Sequence, residues 1–200
     1  MRFFVLCLML LSCKQKPLLP SKESLAYWNA RADLFRKLPN DSAEVLFVGT
    51  SLTEGFPLQD FFHDTLLKNR GVSGSRSVEI LKRIDEAKGA AKVFIEAGAN
   101  DFKYSISPDS IVKNIAAMVS ALPGSKVYVQ AVLPEYMGYE KNNPLIHQTN
   151  QKLKAWCAAN SITFIPLWDA FLNKPELRYD GLHLNYEGYR LWTEMLRPYL

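Results

Sequence analysis

The chain has 200 residues, 48% hydrophobic and 12% aromatic, enough for one domain with a full core and too apolar for a disordered chain. Its formal charge of +4 is spread along the sequence without a dense Lys/Arg block, so no nucleic-acid footprint is present.

At the N-terminus, "MRFFVLCLMLLSCKQK" carries one early cation, Arg2, and then an apolar run from Phe3 to Leu11. That run is too short to span a bilayer, which needs about twenty apolar residues, but it suits the h-region of a secretory signal. "LLSC", ending at Cys13, resembles the lipobox of bacterial lipoproteins, with Leu11 where a smaller residue is usual. The resemblance implies that residues 1–12 are a signal peptide, that Cys13 is acylated, and that the protein is exported and held at the cell-envelope membrane by lipid. An ordinary secretory signal is the alternative. Residues 13–23, polar with prolines at 17 and 20, read as a tether, and 24–200 as the domain. Removal of Cys7 and acylation of Cys13 would leave Cys157 as the one free thiol, so no intrachain disulfide is expected. Cys157 lies in a helical pattern and reads as a small core residue.

Beyond the tether, apolar runs alternate with helical patterns. Strands are expected at Val45–Val48, Leu66–Val72 (the weakest), Val93–Ala97, Val127–Val132 and Ile162–Ile165. Helices are expected at Ser24–Leu38, Ser75–Lys88, Asp109–Leu122, Pro144–Asn160 and Tyr186–Tyr199. Continuous apolar strands separated by helices are the pattern of parallel strands covered on both faces, a three-layer α/β/α sandwich. Ligands of such open sheets bind beyond the carboxyl ends of the strands, which directs attention to the residues that follow each run.

After the first run comes "GTSLTEG". Its hydroxyls suit a helix cap, a phosphate-binding turn, or a nucleophile, Ser51, at the end of the sheet. Thr53 breaks G-x-S-x-G, and no Gly-Lys-Ser/Thr completes a P-loop. "GVSG" follows the second run, and the N–H of Gly74 could point outward from its turn; a plain loop is the alternative. "GAND" follows the third, where Asn100 offers two amide N–H donors or serves as a turn residue, with Asp101 as its structural partner. In "DGLH", a carboxylate at Asp180 three residues before His183 can fix the imidazole tautomer, unless the histidine is incidental to a surface turn. His63 and His147 read as structural or surface residues, and no metal-ligand spacing links the three histidines.

These four blocks match, in order, those of the SGNH/GDSL hydrolases, with Thr50 replacing the usual aspartate before the serine. "VLPEY", "HQTNQKL" and "HLNYEGYRLW" are most similar to the acetylhydrolase and carbohydrate-acetylesterase branch. The resemblance implies a flavodoxin-like sheet of five parallel strands and a serine esterase needing no metal or organic cofactor. It implies Ser51 as nucleophile, His183 as base, Asp180 as its orienter, and an oxyanion hole made by the N–H groups of Ser51 and Gly74 and the amide of Asn100. A compact chain without an inserted lid suits a small acyl ester, acetyl above all, on a small molecule or a carbohydrate. Phe102, Tyr104, Tyr136 and Tyr139 are expected as a substrate wall or as loop packing. Alternatives are a lysophospholipase or thioesterase of the same fold, an FMN-binding flavodoxin-like protein, and a non-catalytic carbohydrate-binding relative.

Overall fold

A computed structural model describes residues 19–200; the signal segment with Cys7, the acylation candidate Cys13 and the first part of the tether lie outside the described residues. The five expected runs form five strands: β1 Val45–Gly49, β2 Leu67–Gly71, β3 Lys92–Ile95, β4 Lys126–Gln130 and β5 Thr163–Ile165. They make one parallel sheet in the order β2-β1-β3-β4-β5. Every residue of β1 is buried, as its unbroken apolar run requires of a central strand covered on both faces. Register places Phe47, Phe94 and Tyr128 side by side, and their rings stack across three strands at 4.6 Å between centroids.

Among the described residues eight α-helices accompany the sheet: α1 Lys22–Lys37, α2 Ser51–Glu54, α3 Leu58–Phe62, α4 Ser77–Lys82, α5 Pro108–Ser120, α6 Asn143–Ala159, α7 Leu167–Phe171 and α8 Tyr186–Leu196. On one side α5 packs between α4 and α6; on the other, α8 packs with α3 and α7. The chain turns back across β1 to reach β3, so the switch of strand order falls between them. That is where an open α/β sheet leaves a crevice at its carboxyl edge. Cys157 is fully buried, and burial pushes its thiol up to about 11, the behaviour of a core residue.

Two helices differ from the sequence pattern at their ends for visible reasons. Ser21 caps α1, accepting from the Ser24 N–H at 3.1 Å, so the helix begins at Lys22, before the expected Ser24. The helix expected over Ser75–Lys88 begins at Ser77, because the N–H of Ser77 donates to the distant Asp101 at 2.8 Å. It stops at Lys82 and gives way to a 3-10 turn, Ile84–Ala87. There the Arg83 side chain turns inward to the carbonyls of Arg70 (2.9 Å) and Gly49 (3.1 Å).

Candidate active site

The turn after β1 sorts its three hydroxyls. Thr50 is the N-cap of α2, accepting from the Leu52 N–H at 3.4 Å. Thr53 is buried and donates to Glu96 Oε2 at 3.2 Å. Ser51 is left facing outward, with its Oγ 3.0 Å from His183 Nε2. The expected helix cap and the expected exposed serine therefore coexist in one turn, on neighbouring residues.

Glu96, immediately after β3, was not singled out in the sequence. Its Oε2 accepts from the Thr50 N–H (2.9 Å), the Thr50 hydroxyl (2.7 Å) and the Thr53 hydroxyl. Complete burial pushes its pKa up, against the donors from Thr50 and Thr53 that favour the charged form. Gly49 makes this approach possible: a Cβ there would lie 2.1 Å from Thr53 Oγ1 and 2.9 Å from Glu96 Oε2. The one visible signal for Glu96 was a carboxylate interrupting an apolar strand, "VFIEA".

His183 and Asp180 occupy a loop closed by an antiparallel bridge between Arg178 and Leu184. The N–H of Tyr179 donates to the His183 carbonyl at 3.1 Å, and that of Tyr136 to the Gly181 carbonyl at 2.9 Å, fastening the loop to the segment after β4. Asp180 Oδ2 lies 2.6 Å from His183 Nδ1, while its Oδ1 accepts from the N–H groups of Leu182 (2.9 Å) and His183 (2.7 Å). Burial pushes Asp180 up, but these bonds and the His183 ring outweigh it and hold the carboxyl at about 2. An ionised Asp180 keeps the imidazole proton on Nδ1, and Nε2 is then free to accept from Ser51.

Gly74 lies in the left-handed region at φ +74°, and glycine is needed there for that backbone rather than for space, since a Cβ would meet Trp28 at an ordinary 3.7 Å. Neither the Ser51 nor the Gly74 N–H has a partner among the described residues. Asn100 uses one amide N–H on the Ser75 carbonyl at 3.0 Å, which fixes the side chain and leaves the second N–H available. All five expected machinery residues are thus brought to the carboxyl edge of the sheet, where Ser51, Gly74, Asn100 and His183 line a cleft of about 160 Å³. Leu133, Pro134 and Leu182 supply apolar lining, and Lys103, Glu135 and Arg178 supply charge.

None of the four aromatics expected as a substrate wall or as loop packing lines the cleft itself. Phe102 belongs to the hydrophobic core. Tyr136 donates its hydroxyl to the Phe171 carbonyl at 2.8 Å and accepts from the Lys174 N–H at 3.2 Å, so it braces loops. Tyr139 is solvent-exposed and is not among the residues lining the cleft. Tyr104 lines a neighbouring groove rather than the cleft itself. Phe102 and Tyr136 thus follow the loop-packing alternative, each fastening the loop that carries it. Arg178 was also missed; it is buried, donates to the Leu182 carbonyl, and is lowered to about 10 by burial, so it stays charged near neutrality. Of the other histidines, His63 caps the C-terminus of α3 and His147 is exposed on α6.

Residues 47–191 match the model of the GDSL-like lipase/acylhydrolase family. No curated protein matches the chain. Among solved structures, a Bacteroides fragilis protein provisionally described as an acylhydrolase superposes with a TM-score of 0.77 at 26% identity, over 86% of this chain and 94% of its own. A lipase/acylhydrolase from Enterococcus faecalis gives 0.68 at 21% identity, over 78% and 94%. A member of the lipolytic G-D-S-L family from Veillonella parvula gives 0.69 at 16% identity, over 78% and 97%.

Proposed function

Because the chain belongs to the GDSL-like lipase/acylhydrolase family and is a carboxylic ester hydrolase, we propose that it acts on small acyl esters, acetyl above all, through Ser51, His183 and Asp180. The observation that carries this reading is the 3.0 Å contact between Ser51 Oγ and His183 Nε2 beside two unpartnered N–H groups. Ser51 Oγ attacks the ester carbonyl while His183 Nε2 takes its proton. The carbonyl oxygen becomes an oxyanion that accepts from the Ser51 N–H, the Gly74 N–H and the Asn100 amide. As the tetrahedral centre collapses, His183 gives its proton to the leaving alcohol, and an acyl-serine remains. His183 then deprotonates water, whose oxygen attacks the acyl carbonyl, and the imidazolium returns that proton to Ser51 Oγ as the acid leaves. Asp180, held ionised, supports the imidazolium at both stages.

The cleft of about 160 Å³ supports the limit on acyl size, being close to the volume that accommodates a single benzene in an engineered cavity. A long lipid chain finds no matching apolar channel among the cleft-lining residues, which include three charged side chains. The intact Ser51–His183–Asp180 set favours catalysis over a silent carbohydrate-binding role. Thr50 and Thr53 spend their hydroxyls on Glu96, which counts against a hydroxyl-built phosphate site for FMN in this turn.

The purified protein is expected to hydrolyse p-nitrophenyl acetate much faster than p-nitrophenyl palmitate. Ser51→Ala should lower kcat on the acetate by about 10⁴-fold or more with folding intact. A Ser51→Ala protein that keeps its activity would sink the assignment. We also propose export and anchoring through Cys13: labelled palmitate should enter the wild type and not Cys13→Ser. An unlabelled, wholly soluble wild type would leave only an ordinary secretory signal.

A further inference from the structure

A second depression opens beside the cleft. It holds about 440 Å³ and shares Ser73, Gly74, Asn100 and Lys103 with it, so a substrate whose ester sits at Ser51 and outgrows the cleft enters this groove. One wall is the first two turns of α1, through Glu23, Ser24, Tyr27 and Trp28. The match to the family model begins only at residue 47, so this wall comes from outside the matched region.

The helix is seated by specific bonds. Trp28 Nε1 donates to the Ser73 carbonyl at 2.9 Å. The Tyr27 hydroxyl donates to Glu54, whose other carboxylate oxygen accepts from the Ser73 N–H at 3.0 Å. Both backbone groups of Ser73, next to Gly74, are therefore satisfied by α1 or by a residue that α1 holds. A wall fixed this way keeps one position relative to the reacting centre, as a specificity subsite must.

The lining indicates what fits. It contains three aromatic rings and not one aliphatic side chain. Trp28 is nearly buried, and Tyr27 is 39% exposed on the rim. Opposite, the Tyr104 ring is held under the Arg76 guanidinium, 4.5 Å from its centroid. Glu23 and Lys103 place opposite charges on the same groove, and Ser24, Ser73 and Asn100 add neutral polar groups. A hydrocarbon chain would bury these groups without hydrogen bonds, at a cost. An anion would meet Glu23, and a cation would meet Lys103. A neutral ring with apolar C–H faces and several hydroxyls suits both the aromatics and the polar groups.

We propose that this groove is a subsite for the sugar ring of an O-acylated carbohydrate, with Tyr104 and Tyr27 contributing its aromatic surfaces. The inference rests on the esterase reading above and adds the substrate class to it.

The test compares kcat/KM on glucose 6-acetate, whose other hydroxyls are free, with kcat/KM on p-nitrophenyl acetate. Tyr104→Ala should lower the ratio of the two about tenfold, mainly through KM for the sugar ester, because an aromatic contact surface is lost. Tyr104→Phe keeps the ring and should keep the ratio. In the Ser51→Ala background, glucose 6-acetate should bind with a Kd that rises by a similar factor when Tyr104→Ala is added, which detects the subsite without turnover. If the ratio and the Kd are both unmoved, or if both substrates lose activity in parallel, the sugar subsite is overturned and the esterase assignment stands. A wild type inactive on p-nitrophenyl acetate overturns both.

Discussion

Thr50, Ser51 and Thr53 depend on a carboxylate 43 to 46 residues away in sequence, since Glu96 holds the first and third and so fixes the second. Glu96→Ala removes the oxygen that accepts from all three donors. It should cost about 1–3 kcal/mol of stability, the usual loss when a buried group is left unsatisfied. It should also lower kcat more than KM, because the serine it positions reacts rather than binds. Urea midpoints and steady-state kinetics on an acetyl ester check this; unchanged stability and kcat would remove Glu96 from the support of Ser51. Asn100 makes a second case. Asn100→Ala should cost about 10²–10³ in kcat, the loss typical of one oxyanion donor. Asn100→Asp sets a carboxylate against both the oxyanion and the Ser75 carbonyl that Asn100 now serves, so it should be at least as inactive and melt lower. An Asp variant more active than Ala at equal stability would make Asn100 a turn residue only. Ser51, Gly74, Asn100, Asp180 and His183 were legible because each follows a strand or shares one short loop. Glu96 and Arg178 were not, because their roles come from packing between distant segments.

Among the elements, the junction of β3 with α4 carries a titratable load. Asp101 is fully buried and accepts from the Ser77 N–H at 2.8 Å and the Ser77 hydroxyl at 2.6 Å, at a helix start where Glu79 also accepts from the Arg76 N–H at 3.0 Å. Burial raises its pKa from 3.8 to about 6 despite these bonds. A carboxyl raised in the folded state stabilises fully below 3.8, and that contribution is lost as pH rises through 6. Asp101→Asn keeps an acceptor and removes the titration. Between pH 4 and pH 7 the wild type should therefore lose about 2 kcal/mol relative to the variant, most of what a rise from 3.8 to about 6 allows. Urea unfolding of both proteins at the two pH values measures this, and parallel curves would refute it. Asp101 was legible as a turn partner, but its reach to Ser77 was not, and that reach is why α4 starts late. Two of the four aromatics expected as a wall or as loop packing went to packing for a related reason. A long loop must be fastened before it can bind anything, and Phe102 and Tyr136 do the fastening.

For the molecule as a whole, the alternation of apolar runs and helical patterns was enough to specify five parallel strands, because strands buried on both faces leave an unbroken apolar signal. The path of α1 over the oxyanion loop was not in that signal, since a surface helix states only that one of its faces is covered. Its seat means that the two ends of the described chain are not equivalent. The first turn of α1 stands at the mouth of the groove. The last residues are fastened to Lys92, whose side chain donates to the Tyr199 carbonyl at 3.0 Å, at the start of the strand whose far end leads to Glu96 and Asn100. A bulky fusion or solid support joined after Leu200 should leave turnover of glucose 6-acetate intact. The same bulk joined just before Ser21 should hinder that substrate more than p-nitrophenyl acetate, and equal effects from both ends would contradict it.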